Sequence, residues 1–425
     1  MRKTIVVMGT FDTKGEELRF VQKLIESRGH EALTIDCSTL GPPLYPTTIA
    51  RQEVFAARGF TVDQVSNQME KNHAIQTATE GTIRIVERLL REGRVDGMIA
   101  LGGGQGTVMG TSVMKTLPFG LPKVMVSAVA NGLAPFGPFV GTKDMTIIHS
   151  VADILGLNAV TRRVLTEGVG AIVGMVETES KLEGEDRPAV GMTTAGVTTA
   201  CALRIREVLE TYGYEVISFH CNGVGAQAME ELAESGRLAG VLDLSPKDIP
   251  DLLFGGIFPA HPERMKSTCA RGIPQVIVPG TCDFILFGPL SDVPEATLRR
   301  KHVVHNPLHT HVRANREEMA AVGRFIGERL RESRGPAAVL IPRGGFSQLN
   351  RAGGPMYEPE SDAGFREGLT EDLALQEGGA VRVKEYDLHI NDPEFARTAA
   401  ELMHSLITEN DPRVGRKEVG GRPDG

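Results

Sequence analysis

The feature that most constrains the fold is a short apolar segment that leads directly into Gly102-Gly103-Gly104-Gln105-Gly106-Thr107. The apolar part, Asp96 to Leu101, has the length and composition of a buried strand. The residues after it predict a helix that begins at Gln105 or Gly106. Consecutive glycines let a backbone approach an anion closely, and a helix start presents unpaired N–H groups. The sequence therefore predicts a strand, a ligand loop and a helix within a parallel α/β sheet.

The same alternation occurs on both sides of this loop. Thr4 to Gly9 predicts a strand, Lys14 to Ser27 a helix and Ala32 to Asp36 a second strand, which together form a right-handed β-α-β unit. The charged stretch from 179 to 188 lacks apolar periodicity, and the alternation restarts after it. We predict two Rossmann-like, doubly wound α/β domains with mainly parallel sheets. These are an N-terminal nucleotide-binding domain (1–183) and a C-terminal domain (188–409), followed by a flexible tail (410–425).

Charge and composition exclude several classes of protein. The chain has 425 residues, with 46 lysines and arginines against 54 aspartates and glutamates, a net charge of −8. This balance argues against a broad nucleic-acid or anionic-membrane surface, and no stretch approaches the ~18 apolar residues of a membrane span. Five widely spaced cysteines without a C-x-x-C pattern argue against a disulfide framework. We expect a cytoplasmic protein.

The first strand is followed by polar residues suited to a phosphate and a metal. Thr10, Thr13 and Lys14 offer hydroxyl groups and a positive charge to a phosphate, and Asp12 is a candidate ligand of a hydrated Mg²⁺. The alternative is a helix N-cap formed by Asp12 or Thr13.

Each of the other candidate sites in the first domain has an alternative interpretation. The glycine loop matches neither G-x-G-x-x-G nor the Walker P-loop, and a purely structural turn is its alternative reading. Asp36 ends the second strand and is a candidate acceptor from a ribose hydroxyl, or an ordinary strand-end aspartate. Lys143 is a candidate phosphate ligand and Asp144 a candidate metal ligand, with a surface turn as the alternative. The predicted cofactor-binding residues are Thr10, Asp12, Thr13, Lys14, Asp36, Gly102, Gly103, Gly104, Gln105, Gly106, Thr107 and Lys143.

The second domain also places polar residues after predicted strands. A small anionic metabolite is predicted to bind there, in a cleft between the domains. Its predicted ligands are Thr194, His220, Gly223, Gly225, Asp243, His261, Asn306, Gly344 and Gly345. The segment KHVVHNPLHTHVR holds four of the 11 histidines, but no spacing in it matches a zinc motif. We predict His305, Asp283 and Arg313 as catalytic residues, with His305 or Asp283 as the base and Lys14 or Arg313 neutralising the developing charge.

Seven motifs occur in an order that resembles a known family. They are GTFDTKGEE, GGGQGT, GMTTAGVTT, FHCNGVGAQAMEEL, PGTCDFILFG, HNPLHTHVR and IPRGGFSQLN. The chain is similar to the ATP-binding domain family of the tomato mosaic virus resistance protein, whose bacterial members form an uncharacterised protein family. The resemblance implies two Rossmann-like subdomains, ATP bound by Thr10 to Lys14 and Gly102 to Thr107, and a homodimer. In the plant protein this domain precedes a TIM-barrel domain, which implies a separate barrel protein as a partner here.

These observations predict a cytoplasmic protein that binds Mg-ATP and transfers or hydrolyses its γ-phosphate, with closure of the two domains bringing that phosphate to the metabolite. Two alternatives remain open. One is a nucleotide-sensing interaction module without turnover. The other is a C–C lyase or hydrolase that acts with the TIM-barrel partner and uses the histidine segment.

Overall fold

The computed structural model describes residues 1–130, 137–178, 187–373 and 381–411. It divides the chain into two compact units, Met1–Lys181 and Leu182–Gly425, here called the N-terminal unit and the C-terminal unit. Most of the predicted linker (179–188) and nearly all of the predicted tail (410–425) lie outside the described residues. None of the helices within the described ranges is long and apolar enough to span a membrane.

The N-terminal unit is built on one parallel sheet. In chain order its elements are β1 (Thr4–Gly9), α1 (Gly15–Ser27), β2 (Glu31–Asp36), α2 (Arg51–Ala56), α3 (Lys71–Arg91), β3 (Gly97–Gly102), α4 (Gly104–Thr116), β4 (Lys123–Ser127), α5 (Gly137–Val140), β5 (Thr146–His149) and α6 (Ala159–Glu177). The strand order is β2-β1-β3-β4-β5 and all pairs are parallel. The predicted strands and long helices of this unit are confirmed to within a few residues, whereas α2 and β5 were not predicted.

Helices cover both faces of this sheet because its strands are apolar on both sides. Val6 and Met8 of β1 belong to a core cluster that includes residues of α3 and α4. The intervening Ile5 and Val7 belong to a second cluster with residues of α1 and α6. Successive side chains of a strand point to opposite faces, so one apolar strand supplies both cores. The result is a three-layer α/β sandwich that leaves the strand ends to the loops.

The C-terminal unit contains a six-stranded parallel sheet and a small antiparallel sheet. Its elements are β6 (Ala189–Thr194), α7 (Thr199–Thr211), β7 (Glu215–His220), α8 (Val224–Glu234), β8 (Leu238–Asp243), α9 (Asp248–Phe254), α10 (Lys266–Arg271), β9 (Gln275–Ile277), β10 (Phe284–Phe287), β11 (His302–Asn306), β12 (His309–Arg313), α11 (Arg316–Arg331), β13 (Ala337–Pro342), α12 (Pro359–Leu373), β14 (Val381–Tyr386) and α13 (Pro393–Asn410). The parallel sheet has the order β14-β13-β9-β8-β6-β7. Both units are thus Rossmann-like and mainly parallel, which confirms the predicted fold class.

The antiparallel sheet was not predicted. Its strand order is β10-β12-β11, and the histidine segment supplies β11 and β12. Asn306 and Pro307 lie at the turn between them, where the carboxamide of Asn306 accepts a hydrogen bond from the backbone N–H of Leu308 (2.9 Å). Histidines on both strands obscure the apolar alternation that normally reveals a strand.

Candidate functional site

The loops after β1, β2 and β3 meet at one edge of the N-terminal sheet. The chain passes from β1 to β2 on one side of the sheet and places β3 on the other side of β1, so β1 and β3 form a topological switch point. Open α/β sheets bind ligands at such points, beyond the carboxyl ends of the strands. An open cavity of about 210 Å³ lies here, lined by Thr10, Asp12, Thr13, Lys14, Thr39, Leu40, Gly102, Gly103, Gly104, Gln105 and Gly106. The structure therefore brings together most of the predicted cofactor-binding residues.

The glycines of the β3–α4 loop serve two different purposes. A Cβ added to Gly102 would lie 2.8 Å from the Cα of Gly106, so close packing inside the loop explains that glycine. A Cβ on Gly103 or Gly104 would meet nothing within 4 Å in the part of the chain that the structure describes. Gly103 is the N-cap of α4 and no side chain caps the helix, which leaves the first N–H groups of α4 beside the cavity. These two glycines keep a backbone surface open that a side chain would cover.

Asp12 presents one carboxylate oxygen without a protein partner. Its Oδ2 accepts a hydrogen bond from the N–H of Gly41 (2.9 Å), and its own N–H donates to the Ser38 hydroxyl (3.1 Å). Its Oδ1 is buried and has no hydrogen-bond partner among the described residues. The N-cap of α1 is Lys14, without a side-chain cap bond. The capping alternative for Asp12 and Thr13 is therefore wrong.

Lys14 and the threonines complete the polar wall of the cavity. The hydroxyls of Thr10 and Thr13 hydrogen-bond to each other (3.0 Å). The Nζ of Lys14 donates to the backbone carbonyl of Ile154, which lies in the segment after β5. The ammonium group is thus placed at the cavity and is attached to a neutral acceptor.

Asp36 is fully buried and does not line the cavity, which corrects its predicted contact with a ribose. Its Oδ1 accepts hydrogen bonds from the N–H groups of Ser38 (2.9 Å) and Phe11 (3.4 Å) and from the Ser38 hydroxyl. Burial raises the pKa of this carboxyl, and the hydrogen bonds from Ser38 and Phe11 oppose that rise. The hydrogen bonds of Asp36 therefore hold the loop after β1 and the loop after β2 together.

Three further predicted residues lie away from the cavity. Thr107 is buried and its hydroxyl pairs with that of Ser127 (2.7 Å). Lys143 and Asp144 precede β5 and therefore lie at the amino edge of the parallel sheet, opposite the glycine loop. Asp144 accepts hydrogen bonds from the buried Lys123 ammonium (2.8 Å) and from the N–H of Gly120 (2.8 Å). The structure thus gives Asp144 a structural ion pair in place of the predicted metal.

Sequence reasoning missed the contribution of the loop after β2. Thr39 and Leu40 line the cavity, and Leu40 is 69% exposed. Their position in the sequence could have indicated this contribution, because they follow a predicted strand at the same edge of the sheet as the loops after β1 and β3.

In the C-terminal unit, Asp243 belongs to a buried ion network. The guanidinium of Arg264 contacts Asp243 (2.7 Å), Glu230 (2.7 Å) and Asp248 (3.1 Å). Asp243 also accepts a hydrogen bond from the Thr193 hydroxyl (2.6 Å). Burial raises the pKa of Asp243 and Glu230, and the charge of Arg264 opposes that rise. This network joins β6, β8 and the segment before α10, and it gives Asp243 a structural role in place of the predicted ligand contact.

Close packing explains the four glycines predicted as substrate ligands. A Cβ on Gly223 would lie 2.3 Å from the carbonyl oxygen of Pro259, and Gly223 has a φ of +77°. Equivalent Cβ contacts would be 2.0 Å for Gly225, 2.7 Å for Gly344 and 1.6 Å for Gly345, each with backbone atoms. These glycines are needed by the fold itself, unlike Gly103 and Gly104.

The predicted catalytic residues Asp283 and Arg313 come together but are enclosed by protein. Asp283 is fully buried and accepts a hydrogen bond from the Ser347 hydroxyl (2.7 Å). Burial raises the pKa of Asp283 to about 6. Arg313 donates to the backbone carbonyls of Asp283 (2.6 Å) and Ala314 (3.1 Å) and to the carboxylate of Asp362. Arg313 belongs to the wall of an open cavity beside Arg300 and Lys301, but it is only 1% exposed. Burial therefore argues against the predicted catalytic contacts.

The remaining predicted residues of this unit do not converge on one described cavity. His305 is exposed, and its ring stacks on that of His311 with 5.1 Å between the ring centroids. Asn306 forms the β11–β12 turn. His261 lines a cavity with Glu230 and Arg264. Thr194 and His220 end β6 and β7. Within the described ranges, no group of three or more His, Cys, Asp or Glu residues is arranged to hold a metal ion.

Comparisons with known proteins agree with this two-unit organisation. The N-terminal domain model of the uncharacterised protein family (UPF0261) matches residues 3–181, and the C-terminal domain model of the same family matches residues 187–407. A UPF0261 protein of Clostridium tetani is 36% identical over 408 residues, which are 96% of this chain and 100% of that protein.

A plant protein and a solved structure are also similar to the chain. The ToMV susceptible protein tm-1 of Solanum lycopersicum is 31% identical over 438 residues, covering 97% of this chain and 56% of that protein. The crystal structure of the Methanocaldococcus jannaschii UDP-GlcNAc 2-epimerase has 11% identity and a TM-score of 0.20, covering 65% of this chain and 83% of that one. The two family models and the relatives show that the chain belongs to the uncharacterised protein family UPF0261, through both its N-terminal and its C-terminal domain.

Proposed function

We propose that the N-terminal unit binds a nucleoside triphosphate, Mg-ATP, with its phosphates against the loop from Gly102 to Gly106. The observation that carries this proposal is the open surface at Gly103 and Gly104, where a Cβ would meet no atom of the described residues within 4 Å. Packing against that part of the chain does not require glycine at these positions, whereas close approach of an anion to the backbone does. The position of this loop at the β1/β3 switch point also supports the binding of a nucleotide there.

The charge of the cavity suits a nucleotide even though the whole chain is acidic. Lys14 is the cation and Asp12 the carboxylate among the described residues that line it. The other polar groups are threonine hydroxyls and the N–H groups at the start of α4, which attract an anion without carrying a full charge. Such donors let a protein of net charge −8 bind a phosphate chain locally.

Asp12 and Leu40 fit the other parts of the ligand. Mg²⁺ is usually held by one or two carboxylates together with phosphates and water, and the unpartnered Oδ1 of Asp12 is such a carboxylate. Bound magnesium would neutralise phosphate charge. The exposed side chain of Leu40 offers apolar surface for a base.

Calorimetry on a matched pair of variants tests the proposal. The chain has no tryptophan, so Mg-ATP binding is measured by isothermal titration. Gly104→Val fills the open surface and is expected to weaken binding at least about tenfold, equivalent to about 1.4 kcal/mol. Gly170→Val is the control, because Gly170 is an exposed helical glycine on α6 whose added Cβ also has no neighbour within 4 Å among the residues described. Absence of binding to the wild type, or equal binding by Gly104→Val, would refute the proposal.

Turnover is a separate question from binding. All five cysteines are buried, and burial raises the pKa of their thiols, which argues against a thiol nucleophile in the lyase or hydrolase alternative. ADP release from Mg-ATP, with and without small organic acids, distinguishes an enzyme from a nucleotide sensor. The metabolite site in a cleft between domains remains a prediction.

The family resemblance supports two proposals about partners, which are a homodimer and a separate TIM-barrel partner protein. The five cysteines without a C-x-x-C pattern support a cytoplasmic location. Light scattering on the purified chain tests the homodimer, and co-purification tests the barrel partner.

A further inference from the structure

A surface segment beside the cavity is anchored to α1 at two points. Residues 150–157, which we call the strap, connect β5 to α6. The Nζ of Lys14 donates to the carbonyl oxygen of Ile154. The N–H of Gly156 donates to the Oε1 of Glu17 at 2.7 Å. Both anchors join residues that are about 140 positions apart in the sequence, so the conformation of the strap depends on α1.

The strap is held in a conformation that its own residues do not favour. Val151 has a φ of +63°, in the left-handed region that a β-branched residue rarely adopts. The side chains of Val151 and Leu155 are 70% and 74% exposed, while Ile154 between them is buried in the core. Backbone strain and exposed apolar groups both oppose this arrangement, and the two anchors and the burial of Ile154 oppose its release.

The two ends of the strap are also held by hydrogen bonds that do not involve α1. The N–H of Ser150 donates to the carbonyl oxygen of Ser127 (2.9 Å), and the Thr161 hydroxyl donates to that of Gly156 (3.0 Å). The middle of the strap, around Ile154, is therefore the part that depends on Lys14.

One anchor is also a residue of the cavity. Lys14 lines the cavity and donates to a neutral carbonyl of the strap. A phosphate oxygen is a stronger acceptor for an ammonium group than a carbonyl is, because both partners are then charged. We propose that an anion bound in the cavity draws Lys14 away from Ile154 and releases the strap. The identity of the anion rests on the proposed function, whereas the anchoring by Lys14 does not.

Hydrogen exchange measured by mass spectrometry on the full chain tests the proposal. The reporters are peptides that cover residues 150–157, with peptides from α3 as an internal reference. Lys14→Met keeps the length of the side chain and removes the donor, and is expected to raise exchange in the strap about tenfold without ligand. Lys23→Met, at an exposed position of α1, is the matched control and should exchange like the wild type. Mg-ATP at a saturating concentration should raise exchange in the wild-type strap, as should inorganic pyrophosphate.

Two measurements separate failure of this inference from failure of the proposed function. If the strap of Lys14→Met exchanges at the same rate as that of the wild type, Lys14 does not anchor the strap, whatever the effect of the ligand. If calorimetry shows that Mg-ATP binds but exchange in the strap is unchanged or slower, release by the ligand is overturned while the proposed function stands. If neither Mg-ATP nor pyrophosphate binds, the proposed function and the release of the strap by a ligand both fail. Hydrogen exchange in Lys14→Met without ligand still tests whether Lys14 anchors the strap.

Discussion

The buried carboxyl of Asp283 predicts a specific pH dependence of stability. Burial raises the pKa of Asp283 from 3.8 to about 6 in the folded chain. An acid with a raised folded pKa favours folding when it is protonated, so its contribution is lost as the pH rises from 3.8 through 6. A pKa shift of this size changes the free energy of unfolding by about 3 kcal/mol over the whole titration, and about 2 kcal/mol of this change occurs between about pH 4.5 and 8.

Replacing Asp283 by asparagine isolates this contribution. The asparagine side chain retains an oxygen for the hydrogen bond from the Ser347 hydroxyl (2.7 Å in the wild type) and does not ionise. The difference in unfolding free energy between Asp283→Asn and the wild type should therefore shift in favour of the variant by about 2 kcal/mol from about pH 4.5 to about pH 8. Any constant cost of the new amide group cancels in this comparison across pH.

Urea unfolding followed by circular dichroism at a series of pH values provides the assay, using the transition of the C-terminal unit. Asp292→Asn is the control, because it makes the same carboxyl-to-amide change at an exposed position of the same unit. A difference between Asp283→Asn and the wild type that is constant with pH would refute the reasoning, since Asp283 would then titrate alike in the folded and unfolded chain.

Three further predictions follow from the other sites. Arg264→Met leaves Asp243, Glu230 and Asp248 buried without their cation, and should lower the unfolding free energy at neutral pH by about 3–5 kcal/mol in urea unfolding; a loss below about 1 kcal/mol would contradict the network's role. Thr107→Val removes a hydroxyl that faces Ser127 instead of the cavity, so calorimetry should find Mg-ATP affinity within about twofold of the wild type, with about 1 kcal/mol lost in stability. Asp12→Asn should weaken the binding of ATP in the presence of Mg²⁺ more than in the presence of EDTA, and equal weakening in both would exclude a metal contact.

Much of the fold was predictable because local patterns determine it. The apolar strands β1, β3 and β4 and the periodic helices α1, α3 and α11 are readable over short windows of sequence. The antiparallel strands β10, β11 and β12 were missed because their pairing is non-local and histidines mask their alternation. Short elements such as α9 and α10 carry too few residues for a helical period to emerge.

The candidate site was predictable only in part, and Asp36 and Asp144 show why. Asp36 was predicted as a ligand because it ends a strand, and Asp144 because it follows Lys143 in a segment rich in glycine and proline. Asp36 turns out to be fully buried between two loops, and Asp144 neutralises the buried Lys123 at the opposite edge of the sheet. The N–H of Phe11 that contacts Asp36 and the ammonium of Lys123 that contacts Asp144 lie 25 and 21 positions away in the sequence, and a local motif does not report such partners.

By itself, the sequence determined the alternation of strands and helices in each unit, the parallel sheets that follow from it, and the position of a glycine loop at a strand end. These properties depend on the period of apolar residues and on the conformational freedom of glycine, both of which are local. Only the tertiary structure decided which residues share the cavity. It placed Thr39 and Leu40 beside Gly103 and Gly104, and it joined Lys14 to Ile154. Contacts of this kind are made across the sheet by residues far apart in the chain, so they exist only once the strands have paired.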